Sequence, residues 1–221
     1  MRHVSFERNH LAARLPRAAT RHGSFRTLVP ETDWIRLPAP VRVRFERELR
    51  PGESIAFIGE VAETRMSLIG WLWAQVARLA GAPLPLAELA RCAAAVVVTQ
   101  DGAGATQAWT RIYHGQGSLP QVIRSTKRFA GPTGLEECVG AGMGMTLAVS
   151  VEHRALVFRS TEYFWCCGRL RLRIPAWLTP GRIAVTHREE RGGRFSFTLE
   201  VIHPWFGATI RQVAFFRDTR T

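Results

Sequence analysis

The run that follows Ala155 offers the first candidate for chemistry. Side chains alternate along a strand, so Leu156, Phe158, Ser160, Glu162 and Phe164 are expected on one face, and Val157, Arg159, Thr161 and Tyr163 on the other. Glu162 then stands in an apolar row, where an ionised carboxylate must be paired or reach water, because desolvation alone costs several kcal/mol. Arg111, Arg124 and the Glu136-Glu137 pair are the groups it could meet. A pairing of this kind can fix strand register, anchor a ligand in a pocket or, with a raised pKa, supply a general base; Glu162 and Glu137 are the two candidates for that last role.

Other catalytic signatures fail on their spacing. The cluster Gly140-Ala141-Gly142-Met143-Gly144 lacks the third glycine of a dinucleotide fingerprint, and a β run rather than a helix follows it, so it reads as a turn where strands cross closely. GxSxG, Walker and HExxH motifs are absent. The seven histidines are scattered without ligand spacing, and His187 and His203, in or at the ends of strands, read as hydrogen-bonded core residues. Cys92, Cys138, Cys166 and Cys167 form no CxxC pair, and adjacent strand residues such as Cys166 and Cys167 point to opposite faces. Neither a metal site nor a cofactor is expected, and the cysteines read as free thiols of a reducing compartment.

The elements that would position these residues are mostly strands. Two apolar runs flank Glu152-His153-Arg154 as in a long antiparallel hairpin centred on Met145 to Trp165, and Arg191-Gly192-Gly193 turns the chain between runs at Arg182 to Glu190 and Arg194 to His203. Further strands are expected at Ser54 to Val61, Ala94 to Thr99, Ala105 to Tyr113, Gln121 to Phe129 and Ala208 to Phe216. Trp109, Arg111 and Tyr113 share a face. Val41, Phe45 and Leu49 recur as on one side of a short helix with Pro40 in its first turn. Met66 to Ala80 reads as the one strong helix, apolar over most of its circumference and therefore either covered by a curved sheet or resting in a membrane interface. No uncharged apolar run is long enough to cross a bilayer, and no signal-peptide pattern opens the chain.

Thirty Lys and Arg against 18 Asp and Glu give a net charge of +12. Such a surface attracts anionic lipid or acidic partners. Lys127 is the only lysine, however, and an arginine-rich, alanine-rich chain also follows from high-GC coding, so nucleic acid is not expected among the partners. Residues 1–32 read as a basic, mobile N-terminal arm, with six arginines and one glutamate before Pro30, and residues 33–221 as a single domain.

The order of several short motifs carries a resemblance: LPAPVR (Leu37 to Arg42), Trp109-x-Arg111, Arg124-Ser125-Thr126, Leu135-Glu136-Glu137, IPAWLTP (Ile174 to Pro180) and HPWFG (His203 to Gly207). Over about residues 33–216 the chain resembles the bacterial domain-of-unknown-function family 4166. The resemblance implies no established activity. It picks out Trp109, Arg111, Ser125, Glu137, Pro180 and Gly207 as motif positions, and it implies a dehydrogenase-like partner, because members also occur fused to a nucleotide-binding domain of that kind. Phe45 departs from the histidine the resemblance would imply after the LPxxVR step.

The expected fold is α+β: a strongly curved, half-barrel-like antiparallel sheet of about eight or nine strands packed on one main helix. The leading expectation is a non-enzymatic binding module for an apolar or amphipathic small molecule, with Trp71, Trp73, Trp109, Tyr163 and Trp177 at the pocket, Arg111 or Arg159 meeting a polar head group, and Glu162 nearby. An enzyme using Glu162 or Glu137 as base is the alternative. A third reading is a cytoplasmic protein-interaction module or one peripheral to the inner membrane, using the basic arm and the tryptophan-rich helix, the latter at an anionic surface.

Overall fold

The computed structural model describes residues 23–79, 84, 91–101, 106–115 and 119–219. Its organising element is β7 (Ala155–Cys167), a 13-residue strand with partners on both sides. One side pairs throughout with β6 (Met143–Glu152). The other pairs first with β9 (Arg182–Glu189) at residues 156–159 and then with β8 (Leu170–Ile174) at residues 163–167. Around the remaining circumference run β5 (Glu136–Gly140), β4 (Gln121–Arg128), β3 (Thr106–His114), β2 (Cys92–Asp101), β1 (Ser54–Met66), β11 (Gly207–Asp218) and β10 (Arg194–His203), every pair antiparallel. Ten strands therefore close into a barrel, and β8 lies outside the ring.

The half-barrel expected from the sequence is thus corrected to a closed barrel, and about eight or nine strands to 11. Closure leaves no open edge in the ring, because the β6–β7 and β7–β9 pairings join what would have been its two margins. Strict alternation is visible where it matters: in β2, Cys92, Ala94, Val96, Val98 and Gln100 all turn inward. At the β5–β6 turn, Gly142 takes φ +77°, and a Cβ there would sit 2.2 Å from the Cys166 carbonyl oxygen, which is the close approach that the glycine cluster announces.

One end of the barrel is closed by the chain before β1. A 3₁₀ turn (Phe25–Leu28), α1 (Glu31–Trp34) and α2 (Ala39–Glu46) bury Phe25, Trp34, Leu37, Val41 and Phe45. Phe25 meets Phe45 and Phe158 edge-on at centroid distances of 5.3 and 5.8 Å, and Phe45 packs on His187 at 5.0 Å. Residues 1–22 of the expected arm lie outside the described residues, whereas Phe25 and Val29, from its last third, are core residues.

The helix α3 (Leu68–Leu79) is not the core about which the sheet bends. It lies outside the barrel against β11, with Ala74 buried and Gly70 pressed on the Thr209 backbone, while Leu68, Trp71, Leu72 and Val76 face outward. The fold is mainly antiparallel β with few helices, and no described helix is long and apolar enough to cross a membrane.

Candidate functional site

Ten strands enclose more space than side chains alone fill, since about eight already make a barrel whose interior side chains just pack. The lumen accordingly holds a cavity of about 140 Å³. Much of its wall is apolar, with Val96, Ile123, Leu147, Phe158, Val185 and Phe216 among the lining residues. Leu84, in the α3–β2 connection, also lines it.

The charged part of the wall comes from three neighbouring strands. Ladder pairing puts Trp109 opposite Ser125 and Lys127 opposite Glu137, so β3, β4 and β5 present these groups side by side on the inner face. Glu137 Oε1 accepts from Ser125 Oγ at 2.5 Å and from Arg111 Nη2 at 3.2 Å; its Oε2 accepts from Lys127 Nζ at 2.7 Å. Arg111 Nη1 also donates to Ser125 Oγ at 3.0 Å. The Lys127 ammonium stands 4.7 Å from the centroid of the Trp109 ring.

The electrostatics follow from burial. Desolvation pushes the Glu137 carboxyl upward, but the Lys127 and Arg111 charges with the Lys127 and Ser125 hydrogen bonds outweigh it, pulling the pKa down to about 2. Burial lowers the Lys127 pKa, opposed by the Glu137 charge. Two cations thus share one carboxylate, and the cluster carries one unit of positive charge in excess. Arg111 uses two of its N–H groups here, which leaves donors for a further acceptor.

Of the residues singled out from the sequence, Trp109 and Arg111 line the cavity, as does Glu137. Tyr163 is opposite Met145, a lining residue, and so turns to the lumen side; its hydroxyl donates to the Gly181 carbonyl at 2.7 Å, and burial raises its pKa. Glu162 and Arg159 are corrected to the outside. The β6–β7 ladder skips Thr161, pairing Leu147 with Ser160 but Thr146 with Glu162, and this bulge inverts the alternation halfway along the strand. Glu162 is half-buried and pairs at 3.2 Å with Arg173 of β8, not with Arg111, Arg124 or Glu136. Arg159 is exposed and bound to Glu152. Trp71 is on the outer face of α3, Trp73 stacks on His203 at 6.4 Å and Trp177 stacks on Trp205 at 6.3 Å, all away from the cavity lining.

Lys127 is the site residue that strand reasoning left unassigned. Its signal is its rarity, one lysine among 30 Lys and Arg, at a position buried to 5% exposure. His187 and His203 are buried as expected of core histidines; Arg44 Nη1 approaches His187 Nε2 at 2.8 Å, and the Trp205 backbone N–H donates to His203 Nδ1 at 3.2 Å. Among the described residues, no three His, Cys, Asp or Glu side chains converge into a group that could hold a metal ion.

Comparison with known proteins adds a family and no function. The profile of a family described as "Domain of unknown function (DUF4166)" matches residues 37–216, a span containing the whole luminal cluster. No curated protein and no solved structure matches the chain.

Proposed function

The chain belongs to the DUF4166 family, and from that premise we propose that its barrel is a binding module for a small amphipathic acid. The observation that carries this reading is the uncompensated positive charge of the Arg111–Lys127–Glu137 cluster in a mostly apolar lumen, whose lining also includes Arg124 and Gln212. A buried charge excess is costly, and an entering anion offsets it with charge-assisted hydrogen bonds from the free N–H groups of Arg111. The apolar wall takes the rest of the ligand. A cavity of about 140 Å³ compares with the roughly 150 Å³ apolar cavity that accepts benzene, so the buried body is of aryl or short alkyl size.

The same cluster weighs against acid/base chemistry by Glu137. A carboxyl held near pKa 2 is a weak acceptor at neutral pH, far from the value that favours proton transfer. Glu137 acts instead as the fixed counter-ion that keeps Lys127 and Arg111 in place.

The test is calorimetric titration with benzoate, whose phenyl ring is of the size the cavity takes, and with benzyl alcohol as its uncharged counterpart. Benzoate should bind at least about tenfold more tightly, because the alcohol lacks the charge-assisted hydrogen bond. Arg111→Gln should erase that preference. Equal affinity for acid and alcohol in the wild-type protein, or an acid preference that survives Arg111→Gln, would defeat the proposal.

A further inference from the structure

A second feature stands apart from the lumen, at the end of the barrel opposite the aromatic plug. The β10–β11 turn, the 3₁₀ turn Ala176–Leu178 before β9 and α3 after β1 all lie at this end by strand direction. They are joined by aromatic contacts. Trp177 stacks on Trp205, Trp205 and Phe206 pack on His203 at 5.9 and 4.7 Å, and His203 stacks on Trp73 of α3. Around this buried histidine the apolar groups are exposed: Trp205 by 67%, Phe206 by 54%, Trp177 by 50% and Leu68 by 73%.

Cations are interspersed among them. Ladder pairing sets Arg182 beside Ile202 on the outer face, Arg78 ends α3, and Arg169 precedes the exposed Leu170. Arg78, Arg169 and Arg182 are exposed and form no ion pair among the described residues, whereas the carboxylates of Glu63, Glu162 and Glu200 towards this end are each held by an arginine. The face is therefore apolar and net cationic.

We propose that this collar docks on an anionic phospholipid bilayer, with the indoles of Trp71, Trp177 and Trp205 in the headgroup layer, the apolar side chains below them and the arginines on lipid phosphates. Tryptophan is favoured at the boundary where one end of the ring is wet and the other apolar. An interfacial helix needs an exposed apolar face with cations at its flank, and α3 presents Leu68, Trp71, Leu72 and Val76 beside Arg78. A second copy fits less well: a two-fold contact would bring the same unpaired arginines towards one another, and like charges across an interface oppose association. Docking by this collar does not depend on what fills the lumen.

The experiment is cosedimentation of the full chain with vesicles of phosphatidylcholine, with and without phosphatidylglycerol, alongside quenching of tryptophan emission by brominated lipid. Binding should require phosphatidylglycerol, weaken as salt rises and quench tryptophan. Trp205→Ser with Phe206→Ser should weaken it by about tenfold or more, as two interfacial anchors are removed. Arg182→Glu, a change at a solvated position, should weaken it by a similar factor of about ten, and it keeps the test intact if the aromatic variant is unstable. Protein left in the supernatant with phosphatidylglycerol present, or binding unchanged in both variants, would overturn the proposal. So would a dimer in solution that dissociates in the Trp205→Ser, Phe206→Ser variant.

Discussion

Lys127, the one lysine of the chain, donates to Glu137 at 2.7 Å inside the barrel, and both side chains are buried. An ion pair in this setting is stable only while complete, because removal of one partner leaves the other charged, dry and alone. Glu137→Gln should therefore cost about 3–5 kcal/mol of stability, leaving Arg111 and Lys127 without a counter-ion. Adding Lys127→Met should restore a large part of that loss, since the double variant removes both charges of the closest pair. Urea unfolding of the single and double variants measures both; a double variant weaker than the sum of its singles would contradict the pairing.

The same carboxylate sets an acid limit. Its folded pKa of about 2 lies below the ordinary glutamate value of 4.5, so the folded state binds fewer protons than the unfolded state between these values. The stabilisation is fully present above pH 4.5 and is lost as pH falls towards 2, amounting to about 3 kcal/mol for a shift of this size. Denaturant midpoints should be flat from neutral pH down to roughly 5 and then fall steeply. In Glu137→Gln this part of the fall should disappear, leaving a shallower curve.

A single lysine also makes amine chemistry a one-site reporter. Lys127 and the terminal amine are the amines of this chain that acetic anhydride can convert to stable amides, and Lys127 is 5% exposed beside Trp109 and Glu137. Mass spectrometry should find Lys127 modified at least about tenfold more slowly in the folded protein than in urea, because the amine is buried, hydrogen-bonded to Glu137 and out of reach of the reagent. An aryl carboxylate in the lumen should slow it further. Equal rates folded and unfolded would place Lys127 at the surface.

How far the site could be read in advance turns on one residue of β7. Up to Ser160, alternation assigns the faces correctly, and it also puts Trp109 and Arg111 together on β3. Past the extra residue at Thr161 every assignment inverts, which exchanges Tyr163 and Glu162 between lumen and exterior. Nothing in Ser160-Thr161-Glu162 marks a bulge, since all three residues are ordinary strand neighbours. The five-residue strands β5 and β8 escape notice for a related reason: Glu136-Glu137-Cys138-Val139-Gly140 and Leu170-Arg171-Leu172-Arg173-Ile174 are too short and too charged to stand out. With β8 unseen, Glu162 lacked its real partner, Arg173. Closure rests on the β6–β7 and β7–β9 ladders meeting on one strand, a long-range choice without a local sequence trace.

The inversion has a measurable consequence at the two exchanged residues. Tyr163→Phe removes a 2.7 Å hydrogen bond to the Gly181 carbonyl in a buried setting and should cost about 1 kcal/mol or somewhat more. Glu162→Gln breaks only a largely solvated pair with Arg173 and should cost less than about 0.5 kcal/mol. Unbroken alternation would reverse the order, making Glu162 the costly position. Thermal unfolding of the two variants side by side decides between the registers.

The placement of α3 can be tested by the sign of one substitution. In an exposed helix interior, glycine to alanine stabilises by roughly 0.5–1 kcal/mol, because alanine gives up less backbone freedom on folding. At Gly70 the added Cβ would stand 2.2 Å from the Thr209 carbonyl oxygen and 2.9 Å from its carbon, both backbone atoms of β11 that cannot rotate away. The helix must then lift from the barrel, taking Trp73 off His203, and overpacking of this kind costs about 1–3 kcal/mol. Gly70→Ala should therefore destabilise the protein and shift tryptophan emission to longer wavelength as Trp73 gains solvent. A stabilised variant with unchanged emission would mean that α3 does not rest on β11. The collar of outward apolar residues would then lose the anchor that holds it in one orientation.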